Sequence, residues 1–235
     1  MTSETVAEEA PRLKGYIVSP RLGDEALLMT TLGFDLVAKV AEADVVMFTG
    51  GADIDPWYYK DQALDCTRFD EARDRREFNV WKNLRPEVIK IGICRGAQLL
   101  CALHGGKLWQ DVTNHATGES GHWMNLVSKD YSNAWGNVKV ERVNSYHHQA
   151  MRILPKGWEV VGLSAEATRK LAPSISTRDN YDVELAVSME DRVYAIQSHP
   201  EFRDNETRAM FYKTFKVFKD KLDAYDADPK NKRPF

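Results

Sequence analysis

Short β-branched runs and longer stretches of helical spacing alternate along this chain. Tyr16-Ile17-Val18, between Gly15 and Ser19, reads as a first strand. The segment from Asp24 to about Thr31 reads as a helix, with Asp24 as cap, Ala26, Leu27, Leu28 and Leu32 on its apolar face, and Gly33 as its stop. Phe34–Ala38 and Ala43–Thr49 supply two more strands, and strand, helix, strand at this spacing predicts parallel βαβ units. Asp70–Leu84 reads as a charged helix that buries Phe78, Trp81 and Leu84 and turns its charges to solvent in i,i+4 pairs. Val88–Ile93 has the length and branching of a buried strand, and Leu99, Leu100 and Leu103 mark the helix after it. Gly105-Gly106 ends that helix, and Lys107–Val112 is extended. Residues 113–136 show no clear period and predict an irregular segment, a lid or an interface. Val138–Val143, Trp158–Leu163, Val183–Met189 and Val193–Gln197 read as strands, the last two joined by a turn at Asp191-Arg192. Arg203–Leu222 closes the pattern as an amphipathic helix with Met210, Phe211, Phe215 and Phe218 inward.

This pattern predicts one α/β domain over residues 13–223, between an aperiodic charged lead-in at 1–12 and a polar tail at 224–235. A chain of 235 residues can bury one sizeable core. With 32 basic and 35 acidic residues the net charge is −3 and no basic run occurs, so nucleic acid is not an expected partner. No apolar stretch reaches membrane-spanning length, and residues 1–11 lack a signal-peptide core. Three cysteines, an odd and sparse set, point to a reducing, cytoplasmic setting rather than a disulfide framework.

Candidate chemistry concentrates where strands end. Gly92-Ile93-Cys94-Arg95-Gly96 stands at a strand-to-helix turn, the pattern of a nucleophile elbow with sulfur in place of the serine oxygen. The helix that follows directs its positive end at the sulfur, favouring thiolate, and its first N–H groups are free to hold an oxyanion. The alternative is a packed structural cysteine, the reading that fits Cys101 two turns on. A nucleophilic cysteine needs a base, and the base an orienting partner. Among six histidines, His199 leaves the end of the last strand, and Glu201 lies two residues further on, on the same side of an extended chain. Pro200 stiffens the segment between them. Gly50-Gly51 forms a second loop at the carboxyl end of a strand, the edge where open α/β sheets place their sites. His115, His122, His147 and His148 match no zinc spacing and there is no C-x-x-C, so the sequence assigns no metal and no cofactor.

Gly92-Ile-Cys94-Arg95-Gly96-Ala-Gln98 with His199-Pro-Glu201 resembles the class I glutamine amidotransferase-like superfamily. Three further stretches resemble the γ-glutamyl-γ-aminobutyrate hydrolase type of the C26 peptidases. They are the loop from Gly50 to Tyr59, the set Asp70, Arg73, Asp74 and Glu77, and Val143–Gln149. Lys60-Asp61 stands where that type commonly has Gly-Glu, and Ala97 where it often has a larger apolar residue. The resemblance implies a flavodoxin-like, mostly parallel central sheet with helices on both faces and Cys94 on a central elbow. It implies Cys94, His199 and Glu201 as catalytic residues and backbone N–H groups of Gly51 and Arg95 as the oxyanion hole. It implies that Gln98, Asn144, Ser145, Tyr146 and His147 help to hold a γ-glutamyl substrate. The expected activity is hydrolysis of a γ-glutamyl amide, glutamine or a γ-glutamyl amine, through a Cys94 thioester. The alternative is a glutaminase that delivers ammonia to a separate synthase partner. Two rivals from other classes are a non-catalytic binding protein and a redox protein that uses the elbow cysteine alone. The released amine and the oligomeric state are not legible in the sequence.

Overall fold

A computed structural model describes residues 11–19, 23–133, 140–165, 170–171, 182–202 and 204–231. The chain begins with β1 (Lys14–Val18), α1 (Asp24–Thr31), β2 (Asp35–Leu36), β3 (Val45–Phe48) and α2 (Glu71–Lys82). It continues through β4 (Ile89–Ile93), α3 (Arg95–Leu103), β5 (Lys107–Trp109), β6 (Asp111–Val112), β7 (Gly118–Leu126) and α4 (Lys129–Asn133). Then come β8 (Val140–Ser145), β9 (Ala150–Ile153), β10 (Glu159–Ser164) and β11 (Lys170–Leu171). The last elements are β12 (Val183–Ser188), β13 (Val193–Ile196) and α5 (Asn205–Ala227).

The main sheet runs β2-β1-β3-β4-β13-β12-β10-β7-β8. Its first five strands are parallel throughout, and their order is that of the flavodoxin-like doubly wound sheet. β4 lies inside the sheet between β3 and β13, with Gly92 beside Phe48 of β3 and Ile93 beside Ile196 of β13. All five of its residues are buried, as expected of a strand covered on both faces. Alternate side chains feed two cores. Val45, Met47, Ile91, Tyr194 and Ile196 pack with Leu28 and Met29 of α1 and Phe211, Phe215 and Phe218 of α5. Val46, Phe48, Val193 and Ala195 pack with Ala97, Leu99 and Leu100 of α3, and Val80 and Trp81 of α2 lie against the same cluster. Because β3, β4 and β13 point the same way, Gly50, Cys94 and His199 leave the sheet at one edge.

Beyond β13 the sheet continues with antiparallel pairs, an extension that the βαβ spacing of the first half does not announce. The segment expected to be irregular holds the nine-residue β7, paired with β8 and β10; its residues 134–136 lie outside the described residues. Period-two alternation there is broken by polar and glycine positions, with Gly118 and Gly121 at positive φ and a register shift between Gly118 and His122. The start of α1 also differs from expectation. Gly23 is its N-cap, with no side-chain cap, and Leu27 is exposed while Leu28 and Met29 are buried. α5 runs on to Ala227, past the start of the expected polar tail. The expected lead-in lies outside the described residues as far as residue 10.

Candidate active site

The elbow is built by backbone first. Cys94 adopts φ 52 and ψ −111, a left-handed conformation that costs a non-glycine residue roughly 1–3 kcal/mol. Its neighbours leave no room for side chains. A Cβ on Gly96 would stand 2.1 Å from the carbonyl oxygen of Phe48, and one on Gly92 would stand 2.7 Å from the backbone of Ala97. The turn is tied at both ends: Cys94 donates its N–H to Ile196 at 2.7 Å, and its own carbonyl accepts from Gln98 at 3.1 Å. Arg95 opens α3, so its N–H has no acceptor within the helix.

His199 stands across the edge, against Gly50, where a Cβ would lie 2.6 Å from its Cε1. Its Nδ1 is 2.6 Å from Glu201 Oε1, and its ring stacks on Phe202 with centroids 4.6 Å apart. The other face of the pair is the Cys94 sulfur, within hydrogen-bonding reach of the imidazole. Burial works against the charged ring. The Cys94 thiolate and then the Glu201 carboxylate outweigh it and push His199 up to about 10. The arrangement sets a cysteine beside an imidazole that favours its protonated form and is braced by a carboxylate. It can attack an electrophilic carbon and return a proton to a leaving group.

A clamp fixes this histidine. Asn144 accepts from the His199 N–H at 2.8 Å and donates through Nδ2 to the His199 carbonyl at 2.9 Å. Its own N–H donates to Thr207 Oγ1 at 2.9 Å. Both amide groups of Asn144 are therefore committed to protein. Ser145 is buried and donates to the carbonyl of His115. His147 is buried and turns away from the cysteine, its Nε2 3.5 Å from Glu184. Gln98 donates to the carbonyl of Gln149 at 2.9 Å. Of the five residues expected to hold substrate, Tyr146 alone is exposed, its ring edge-on to His199 and Phe202 at 5.6 and 5.1 Å.

The charged face of α2 is turned inward, against the expectation of a solvated face. Arg73, Asp74 and Glu77 are buried. Arg73 donates to Glu77 at 2.7 Å and to the carbonyl of Gly50 at 2.9 Å. Arg95 donates to Asp74 and Glu77, and Asp74 accepts from the N–H of Asp55 at 2.8 Å. Burial raises Asp74 above the ordinary carboxylate range, opposed by Arg95. The reason for the inversion is the buried guanidinium of Arg95, which leaves the elbow on this side and needs anions beside it. The network joins the Gly50–Asp55 loop to the elbow. Arg95 as a partner for the i,i+4 pair Arg73–Glu77 carries no signature in local sequence, because the pairing is made across α2 and α3.

No described helix is long and apolar enough to cross a membrane. The model of the family described as Peptidase C26 matches residues 26–201. The chain is 29% identical over 189 residues to a glutamine amidotransferase-like protein, YvdE, of Lactococcus lactis, covering 74% of this chain and 72% of that one. In fold it is similar to a glutamine amidotransferase from Thermotoga maritima, with a TM-score of 0.55 at 16% identity over 94% of this chain and 88% of the other. It is also similar to the glutaminase domain of a Trypanosoma brucei CTPS, with a TM-score of 0.53 at 13% identity over 89% of this chain and 94% of that one.

Proposed function

Because the chain belongs to the Peptidase C26 family, within a glutamine amidotransferase-type fold, we propose that it hydrolyses γ-glutamyl amides through a thioester on Cys94. One observation carries the reading: a cysteine on a strained elbow, in reach of a histidine that is itself braced by Glu201 at 2.6 Å. The Cys94 thiolate attacks the γ-carbonyl carbon, and the oxyanion is held by the N–H groups of Gly51 and Arg95. The tetrahedral adduct collapses, the C–N bond breaks, and the His199 imidazolium gives its proton to the departing amine. Water then attacks the thioester and loses a proton to His199. Collapse of this second adduct releases the γ-carboxylate of glutamate and restores the thiolate. Glu201 keeps the imidazole in the required tautomer throughout.

Glutamine and γ-glutamyl amines share this chemistry. Three free cysteines and a thiolate nucleophile are consistent with a reducing compartment such as the cytoplasm. In the alternative, ammonia from glutamine passes to a synthase partner; glutaminase turnover would then rise when that partner is added. Mass spectrometry after treatment with a glutamine-analogue diazo-ketone tests the main reading. Labelling is expected at Cys94 and blocked by glutamine or a γ-glutamyl amine. Labelling at Cys66 or Cys101 instead would refute it.

A further inference from the structure

Four side chains with no part in that chemistry meet beneath the loop that carries Tyr146. His115 follows β6, His122 lies on β7, His147 follows β8, and Glu184 lies on β12. All four are buried, and one donor atom from each lies within 4.8 Å of the others. The Nε2 atoms of His115 and His122 stand 3.1 and 3.4 Å from Glu184 Oε1, and that of His147 stands 3.5 Å from Oε2. We propose that this cluster is a buried four-coordinate site for a divalent transition-metal cation, zinc by its donor set, and that the cation ties three loops and strands together behind the cysteine site.

The hydrogen-bond pattern is the first support. His115 Nδ1 lies 2.9 Å from the carbonyl of Thr113 and His147 Nδ1 lies 2.8 Å from the carbonyl of Gln149. A carbonyl only accepts, so Nδ1 of His115 carries the proton and its neutral ring turns an Nε2 lone pair inward, whereas Nδ1 of His147 lies between the Gln149 carbonyl and, at 3.1 Å, the Gln197 amide nitrogen. The three Nε2 atoms and both oxygens of Glu184 make no hydrogen bond among the described residues. Three imidazole nitrogens and two carboxylate oxygens face one another in a space closed to bulk water, and a cation at their centre would satisfy them together. The spacing is the second support. Ligand atoms about 2.0–2.1 Å from a tetrahedral centre are about 3.3 Å apart; two of the nitrogens stand 3.1 and 3.4 Å from one Glu184 oxygen, and the four-atom set lies within 4.8 Å, a spread that a small contraction around an ion would close. The third is the carbonyl behind each of two rings, the usual outer partner that orients a ligating imidazole. Asp182 lies 3.9 Å from His115 Nε2, a second carboxylate beside the cluster.

Three imidazoles and one carboxylate in a closed, buried shell describe a structural rather than a hydrolytic metal. Its consequence runs to the site through β13: Gln197 donates its N–H to the Glu184 carbonyl at 2.8 Å and its Nε2 to the Gln149 carbonyl at 3.0 Å, two residues before His199. This set departs from the sequence reading, which assigned no metal. His148, the fourth histidine weighed there, is held instead between Asp53 at 3.0 Å and Asp111 at 3.5 Å. Glu184 reaches the histidines only because β12 lies beside β10 and β10 beside β7.

Untagged protein purified without chelator and analysed by plasma mass spectrometry should carry about one zinc per chain. Metal-free protein should bind Co²⁺ with the visible absorption of a tetrahedral site, and Zn²⁺ should abolish that band. His122→Ala and Glu184→Gln should each weaken Co²⁺ binding at least tenfold while Cys94→Ser leaves it intact. If these variants do not fold, the thermal midpoint of the metal-free native chain decides, and it should rise when Zn²⁺ is restored. A native chain that carries no metal and gains neither absorption with Co²⁺ nor thermal stability with Zn²⁺ overturns the proposal. So does undiminished binding in a folded His122→Ala protein.

Discussion

Asn144→Ala separates two roles that one residue cannot fill together. The resemblance places Asn144 among the substrate-holding residues, whereas its amide accepts from and donates to the backbone of His199 at 2.8 and 2.9 Å. Removing it leaves the buried His199 N–H without a partner, while the His199 carbonyl keeps the Phe202 N–H at 3.2 Å. One such group costs about 1–3 kcal/mol if the segment stays in place, and that is the expected loss of stability. Any relief comes from movement of the turn that carries the imidazole, and a shift of about 1 Å in a reacting group costs about 10²-fold in rate. The expected result is a kcat lowered about 10²-fold with KM changed by less than about threefold, since no substrate contact is lost. Asn144→Asp keeps an acceptor for the His199 N–H but loses the donor to its carbonyl, and should fall between Ala and the native residue. Steady-state kinetics on a chromogenic γ-glutamyl anilide, with thermal midpoints alongside, measures all three. A KM raised tenfold or more at unchanged kcat would refute the clamp and restore the substrate role.

Two further outcomes follow from the buried charges. Glu77→Gln keeps the shape of the side chain but removes the carboxylate that pairs with both Arg73 and Arg95, while Arg95 keeps Asp74. It should cost about 3–5 kcal/mol in urea unfolding, and a loss below about 1 kcal/mol would show that the network contributes little. For His199 the value in the folded chain, about 10, lies above the ordinary 6.5, so pairing favours the protonated ring. That contribution to stability is complete below about 6.5 and is lost as pH rises through about 10. The thermal midpoint should fall across that window, and the fall should shrink in Cys94→Ser, which lacks the thiolate. An imidazole proton resonance of the native protein that titrates near 6.5 would contradict the ion pair.

Much of this architecture is legible locally. The isoleucines of β4, interrupted by Lys90, show its burial on both faces, and Gly92 and Gly96 mark the sharp turn around Cys94, because only residues without a Cβ fit beside Phe48 and Ala97. His199 and Glu201 are two residues apart, so their pairing needs no knowledge of the fold. What escapes the sequence is set by contacts between distant strands and helices. α2 reads as a solvated helix because Arg73, Asp74 and Glu77 are charged, and their burial depends on Arg95 arriving from α3. β7 is missed because one of its faces is polar and its glycines interrupt the alternation. The histidine cluster is spread over β6 to β8 with no short spacing, and its carboxylate comes from β12. Burial propensity predicts that such groups stay outside; pairing across the fold overrides it.

The strain at Cys94 explains why buried polar groups gather on both sides of it. A left-handed cysteine would relax unless its surroundings over-determine it, and apolar packing alone tolerates shifts that hydrogen-bonded charges do not. On one side, Arg95 leaves the elbow into Asp74 and Glu77, and through Arg73 the same network grips the carbonyl of Gly50. On the other, Ile196 accepts the N–H of Cys94, Asn144 clamps His199, and Gln197 is bound to the backbone above the histidine cluster. The two systems approach each other around the sulfur and imidazole, where the His199 ring packs on Gly50, and the side chains named in each are different. Each can therefore be weakened separately, with different results. Loss of the α2 network should move the loop that holds the oxyanion, whereas loss of the Asn144 clamp should move the base. The elbow is the point where the two errors add.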